Sequence, residues 1–290
     1  MSYRTVVVTK RCKLDLRMNY LEIRQVDEKK RVLMDEISTL VLENPAISLT
    51  GCLLSALVAK KVNIILCDAQ HNPQGTILPL AGSHDSTRKI RQQLAWDEGT
   101  RGLIWTAIVK EKIRQQELFL KELKKQREAT LLESYLEGVQ FNDATNREGH
   151  AAKVYFNALF GLDFTRDAET PANSALNYGY ALLLSLVNRE ISASGYLLQL
   201  GLFHDNIFNP FNLSCDLMEP FRIVVDRYVY NARYTAFDTE EKHDLLNILS
   251  QEVQIKNTKQ VFPNAVKIYV KSVLQALNQE DLSVLAFYWI

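Results

Sequence analysis

Two glutamates and a histidine stand in this chain among residues that are otherwise apolar. Glu148 sits in NREGHAAKVYFNALF, ahead of an alanine-containing helical run, while His204, Asp205, Asp216 and Glu219 fall within LGLFHDNIFNPFNLSCDLMEPFR, residues 200–222. Asp216 and Glu219 are three apart, which places both on one face of a helix beginning near Ser214. Two glutamate carboxylates with a neutral imidazole make an N/O donor set that suits Mn²⁺ or Mg²⁺ better than structural zinc. A divalent ion in such a set polarises a phosphate and activates a hydroxyl nucleophile. Plainer explanations exist for each residue alone. Acids in a first helical turn complement the helix dipole, and a lone histidine is more often a hydrogen-bonded polar group than a ligand. The pattern by itself admits a metal-dependent nuclease, and no Walker loop, Rossmann fingerprint or GxSxG elbow competes with it.

The elements that must position these residues change character along the chain. Of 290 residues, 47% are hydrophobic and 23% charged, as in a core-forming protein. RTVVVT, CKLDLR, YLEIRQV, RVLMDE, TLVLE and AISLT read as short strands. DEKK is a hairpin tip and Asn44-Pro45 a turn. Thr50 caps a short helix, GCLLSALVAKK, before the buried strand VNIILCD, and HNPQG closes the region with a turn. From about Ser86 the period becomes helical. Asp143 or Asn146 can cap REGHAAKVYFNALF, and Thr170-Pro171 opens a further helix with Pro at its first position. The closing stretches AVKIYVKSVLQAL and DLSVLAFYWI also read as helical. The expected class is α+β: a β-sandwich-like domain over residues 1–80, a linker over 81–87, and a larger all-α domain over 88–290.

Four cysteines sit singly, without a CxxC pair, and read as buried apolar residues rather than a zinc site or disulfide framework. The longest apolar run, near YALLLSLV, is too short to span a bilayer. MSYRTVVVTKRCK lacks a signal peptide's apolar core and cleavage site, which places the chain in the cytoplasm with no membrane partner. The zero net charge conceals an uneven distribution. Residues 86–127 carry 11 Lys and Arg against 5 Asp and Glu, whereas residues 128–290 carry 12 against 20. A basic segment ahead of an acidic half can hold a polyanion beside a cation site.

NREGHAAKVYFNALFG, PANSALNYGYALLLSLVNREI, LGLFHDNIFNPFNLSCDLMEPFR and IVKEKIRQQ together resemble the CRISPR-associated spacer-acquisition endonuclease/integrase family. The resemblance covers nearly the whole chain, and HDNIFNPFNLSCDLMEPFR is most similar to type II members. It implies that Glu148, His204 and Glu219 hold a Mg²⁺ or Mn²⁺ ion, with Asp216 as an accompanying acid. It further implies a homodimer through the β domain, and a hetero-hexamer in which two such dimers flank a small ferredoxin-like partner. The implied reaction joins the 3′-hydroxyl ends of double-stranded protospacer DNA to a CRISPR repeat by transesterification.

Candidate DNA contacts are Arg88, Lys89, Arg91, Lys110 and Arg114 in the basic segment, where phosphate binding competes with a solvated helical face. Asn173, Asn177 and Tyr178 could touch a DNA end, although packing explains Tyr178 equally well. The tail LAFYWI is either core or a docking patch. Two other functions fit parts of the pattern: a non-catalytic DNA-binding scaffold with structural carboxylates, and a hydrolase of small phosphate esters. The latter requires an enclosed pocket and leaves the basic segment without a purpose.

Overall fold

The computed structural model describes residues 4–80 and 82–289. Residues 1–3, Ala81 of the expected linker and Ile290 of the tail lie outside the described residues. The first part of the chain forms β1 (Arg4–Val8), β2 (Lys13–Arg17), β3 (Tyr20–Arg24), β4 (Lys29–Leu33), β5 (Ile37–Leu42), β6 (Ser48–Leu49), α1 (Gly51–Ala59), β7 (Asn63–Cys67) and β8 (Pro73–Ile77). One sheet has the order β1-β5-β7-β8 and the other β4-β3-β2-β6. In the first, β1, β5 and β7 run parallel and β8 antiparallel. Parallel neighbours need a crossover, and α1, capped as expected by Thr50, supplies it between β5 and β7.

The apolar runs of the parallel strands follow from burial on both faces. Val6, Leu40 and Ile64 stand in one register row and pack with Leu14 and Leu21 of the second sheet and Leu53 and Leu57 of α1. The next row points the other way, so that Val41 and Ile65 join the core of the helical region. Polar contacts reinforce this junction. Asn63 Nδ2 donates to Ser185 Oγ at 3.3 Å, and buried Glu43 bonds His243 at 2.8 Å, with His71 Nδ1 2.9 Å from the same oxygen. HNPQG is a turn only in part, because Pro73 already begins β8.

The rest of the chain comprises α2 (Ser86–Leu94), α3 (Glu98–Glu122), α4 (Gln126–Glu137), α5 (Arg147–Phe160), α6 (Pro171–Ala193), α7 (Asn212–Met218), α8 (Arg222–Ala232), α9 (Thr239–Leu245), β9 (Glu252–Ile255), β10 (Thr258–Val261), α10 (Phe262–Gln279) and β11 (Tyr288–Trp289). The back is therefore not all-α. β9, β10 and β11 make an antiparallel sheet, with a two-residue turn at Lys256 and Asn257, both at positive φ. The tail ends in β11 rather than a helix. The cysteine expectation also needs correcting: Cys12 is buried, Cys67 and Cys215 are half-buried, and Cys52 is exposed on α1. Among the described residues, no helix is long and apolar enough to cross a membrane.

The tail serves the core. Tyr288 is fully buried, stacks on Phe221 at 4.2 Å between ring centroids, and donates its hydroxyl to the Pro220 carbonyl at 2.9 Å. Trp289 is half exposed and lies over the Arg114 guanidinium. Tyr288→Ala is expected to destabilise the protein by about 3–5 kcal/mol, the range for deleting a buried aromatic ring. Trp289→Ala should stay below about 1 kcal/mol. Urea denaturation measures both, and equal effects would contradict this assignment of the tail.

Candidate functional site

Glu148 owes its position to two caps on the start of α5. Asp143 accepts from the backbone N–H of Arg147 at 2.8 Å and of Glu148 at 3.0 Å, while Asn146 accepts from Gly149 at 3.3 Å. Both candidate caps thus act at once, which satisfies three otherwise orphaned donors of the first turn. Asn146 and Asp143 adopt the left-handed backbone such tight caps require, a conformation that Asn and Asp tolerate. Glu148 occupies the second helical position, where an acid suits the helix dipole. Its carboxylate nevertheless turns across to the Lys112 ammonium of α3.

Glu219 arrives from a different element. α7 starts at Asn212 rather than near Ser214, so neither Asp216 nor Glu219 is a first-turn acid of that helix. Pro220 tightens the chain into a 3-10 turn after α7, Glu219–Phe221, and α8 follows directly. Arg222 then lies one turn on and donates its Nε to Glu219 Oε1 at 2.9 Å. Lys112 takes the other oxygen, Oε2, at 2.5 Å. Lys112, Glu148, Glu219 and Arg222 line one cleft of about 180 Å³ together with Arg166, Tyr180 and Asp226.

His204 belongs to a second arrangement built on the same helix. The Asp216 carboxylate is fully buried and accepts the backbone N–H groups of Leu202, Phe203 and His204, at 2.6, 3.1 and 3.3 Å. His204 Nδ1 meets the same carboxylate at 2.5 Å. This bond fixes the Nδ1–H tautomer and leaves Nε2 as the ring's lone-pair atom. Gly201 is required here, since a Cβ would fall 2.3 Å from the His204 carbonyl and 2.7 Å from Asp216 Oδ2. Trp105 of α3 packs edge-on to the imidazole and stacks on Phe203.

The electrostatics of the cleft follow from burial opposed by pairing. Burial alone would raise the Glu219 carboxyl, but Arg222 and Lys112 outweigh it and hold the group at about 2. Burial lowers the Lys112 ammonium, and Glu219 with Glu148 more than reverses that, for a net rise. The His204 imidazole is raised chiefly by its hydrogen bond to Asp216. Its field also includes Glu219 and Glu148, which places it within electrostatic reach of the cleft without touching their carboxylates.

The structure therefore brings Glu148 and Glu219 together on Lys112 and keeps His204 with Asp216. Among the described residues no three of His, Cys, Asp and Glu are already arranged around one metal position. The donor chemistry still fits a divalent cation: two carboxylates from separate elements converge on a single cationic atom, and an oriented imidazole lies within their electrostatic reach. Lys112, Arg166, Tyr180, Arg222 and Asp226 were not read as site residues from the sequence. For Lys112 a signal was present in α3, a long helix that buries Glu111, Lys112, Gln115, Gln116 and Glu117. Buried polar runs of that kind require partners.

The expected DNA contacts divide. Arg91 and Lys110 are exposed and make no ion pair among the described residues. Arg88 and Lys89 pair with Asp85, and Arg114 pairs with Glu111 at 2.6 Å. Asn173 and Tyr178 lie in the interior, as the packing alternative for Tyr178 allowed. Asn173 is buried and binds Arg166 and the carbonyls of Thr165 and Ala168, while Tyr178 packs against Phe237. Asn177 remains exposed and accepts from Arg166 at 2.7 Å. One asparagine of the expected pair is thus structural because the turn before α6 needs its amide.

Asp226 yields a pH test. Burial raises its carboxyl to about 6, against the Tyr180 hydroxyl and Arg222, which favour the anion. Between an ordinary aspartate value and 6 the folded state holds more protons than the unfolded state, so stability falls as pH rises through that window and is level above it. Asp226→Asn should remove this slope and gain roughly 1–3 kcal/mol above pH 6. Urea midpoints of both proteins at pH 4.5 and pH 7 measure the difference, and an unchanged slope would show that Asp226 stays ionised.

Residues 5–252 match the family model for CRISPR associated protein Cas1. A CRISPR-associated endonuclease Cas1 from Neisseria meningitidis serogroup C (strain 8013) is 37% identical over 226 residues, covering 78% of this chain and 74% of that protein. A casposase bound to integration product shares the fold with a TM-score of 0.74 and 17% identity, covering 97% of this chain and 92% of that one. A chain of a Cas6-RT-Cas1--Cas2 complex has a TM-score of 0.72 and 16% identity, covering 97% of this chain and 35% of that one.

Proposed function

The chain belongs to the family of CRISPR-associated protein Cas1, and from that premise we propose that it is a divalent-metal-dependent DNA endonuclease and integrase of a type II adaptation system. The observation that carries this reading is the convergence of Glu148 and Glu219, from separate elements, on one buried cationic atom. Glu148, His204 and Glu219 would hold the ion, which supplies charge stabilisation to the reacting phosphate. The reaction is a transesterification in which the 3′-oxygen of a protospacer end bonds to a repeat phosphorus while the existing P–O bond breaks. The departing strand leaves as a 3′-hydroxyl.

The chain's own groups support that chemistry. Arg166 and Arg222 line the cleft with guanidinium groups, which suit phosphate oxygens through paired N–H donors. Arg222 is held over the Tyr180 ring at 4.5 Å and so keeps its orientation. Asp216 orients the imidazole and ties down the backbone of Leu202, Phe203 and His204, which makes it a positioning residue. Arg88, Arg91 and Lys110, exposed on α2 and α3, offer phosphate contacts that position a duplex without reading its bases.

Assembly completes the proposal. The protein pairs through its N-terminal sheets and, as a dimer, meets the small ferredoxin-like partner in a hetero-hexamer. The Cas1–Cas2 complex among the structural neighbours supports a partner of this kind. One observation favours the scaffold reading instead: both carboxylates are already paired with Lys112, as structural carboxylates would be.

Integration of a labelled duplex with free 3′-hydroxyls into a repeat-bearing plasmid, with the small partner and Mn²⁺, separates the two. Glu148→Ala, His204→Ala and Glu219→Ala should each lower strand transfer by about 100-fold or more. Duplex affinity should stay nearly intact, because binding comes from distant phosphates. Asp216→Ala should cost less, about 10–100-fold, as it acts through His204. Wild-type transfer from Glu219→Ala would remove Glu219 as a ligand, and the absence of metal-dependent transfer by the unaltered protein would establish the scaffold reading. A stable monomer in sedimentation at micromolar concentration would remove the dimer.

A further inference from the structure

We propose that Lys112 is a positioning residue whose ammonium gathers the Glu148 and Glu219 carboxylates when no divalent ion is bound, and competes with that ion for them. The inference rests on the reading of these carboxylates as metal ligands, but it concerns a residue that reading does not include.

The contacts of Glu219 set up the competition. Its Oε1 accepts from Arg222 and its Oε2 from Lys112, so both oxygens are committed within a side chain that is only 6% exposed. Each oxygen keeps a second lone pair, but a divalent ion approaching it does so against the charge of the cation already bonded there, and displacing one of the two removes that repulsion. Arg222 is the harder to move. It sits three residues from Glu219, its planar group lies over the Tyr180 ring, and a guanidinium does not lose its charge. Lys112 comes from α3, across the cleft, on a flexible four-carbon stem. Its recorded bonds are to these two carboxylates.

Charge balance explains why a lysine would stand there. Two carboxylates in one poorly hydrated cleft repel each other, and a cation between them removes that repulsion. The ammonium thus preserves the spacing of the donors while the ion is absent. The same charge weakens the ion's binding, since the ion meets a resident cation rather than two free carboxylates. Lys112 would therefore set the concentration of divalent metal at which the site loads, a property that a merely structural ion pair would not control.

The test uses the purified full-length protein with Mn²⁺ as the probe, its free concentration read by electron paramagnetic resonance. Lys112→Gln, which keeps a donor and loses the charge, is expected to bind Mn²⁺ at least about tenfold more tightly than wild type. It should also melt at a lower temperature in EDTA and gain more from Mn²⁺ than wild type gains. Lys112→Arg, which keeps the charge, should bind no more tightly than wild type. Equal or weaker Mn²⁺ binding by Lys112→Gln overturns the proposal, and so does a gain of the same size in Lys112→Arg. Should Lys112→Gln fail to fold in EDTA, refolding by Mn²⁺ is the expected result, and failure to refold at any Mn²⁺ concentration overturns it. A Glu219→Gln control tells this failure from that of the metal reading. If Glu219→Gln leaves wild-type Mn²⁺ binding unchanged, the ligand assignment falls and the competition with it. If Glu219→Gln abolishes binding while Lys112→Gln gains nothing, only the role of Lys112 falls.

Discussion

A charge can be taken out of water only where an opposite charge or a set of hydrogen bonds replaces the hydration it loses. The cleft between α3, α5 and the turn after α7 obeys that constraint with Lys112, Arg222 and Arg166 set against Glu148, Glu219 and Asp226. Most of the surrounding architecture can be understood as the means of bringing those groups to one place. α3 carries Lys112 through the core, two caps aim α5, and Pro220 bends the chain so that Glu219 and Arg222 share a side. Removing Lys112 or Arg222 from such a set leaves a buried carboxylate without its compensating charge.

How far the sequence disclosed this depends on whether a signal is local. Thr50, Asp143, Asn146 and Thr170-Pro171 marked their helix starts because capping acts over three or four residues. The strands of the first eighty residues were legible for the same reason. Their continuous apolar runs also carried information about packing: Val6, Leu40 and Ile64 face the second sheet, whereas Val41 and Ile65 face the helices. The three-stranded sheet in the back was missed although half of it was visible. EVQIKNTKQV has alternating buried residues at Val253 and Ile255 around Lys256-Asn257, a two-residue hairpin turn. β11 is different, since its pairing with β9 joins residues more than thirty positions apart and leaves no local trace.

The site divides in the same way. Glu148, His204, Asp216 and Glu219 were singled out by residue type among apolar neighbours, and the structure gives each a defined partner. Lys112 stands unremarked in the helical stretch that begins near Ser86. Nothing within α3 reveals that two carboxylates from elsewhere meet it, because the partners lie 36 and 107 residues away. Asn173 shows the converse case. Polar groups at a helix start invited a role with a ligand, yet the loop before α6 has its own carbonyls to satisfy, and they take the Asn173 amide.

The pairing of Asp216 with His204, and of Glu219 with Lys112 and Arg222, has a consequence for how the region from 200 to 222 works. The two acids are three residues apart, and a helix would hold them on one face. Pro220 ends that regularity: it fixes its own φ and offers no backbone N–H, and the chain tightens into a 3-10 turn where Glu219 stands. Asp216 is thereby left to organise the loop that carries His204, while Glu219 turns into the cleft. The Pro220 carbonyl is in turn bonded by the buried hydroxyl of Tyr288. The last strand of the chain thus braces the turn on which the separation of the two acids depends. The four phenylalanines of the stretch are not alike in this. Phe221 is fully buried against Tyr288, and Phe203 stacks on Trp105, whereas Phe208 is 87% exposed. Packing explains the first two, and it is those two that hold the backbone on either side of the carboxylates.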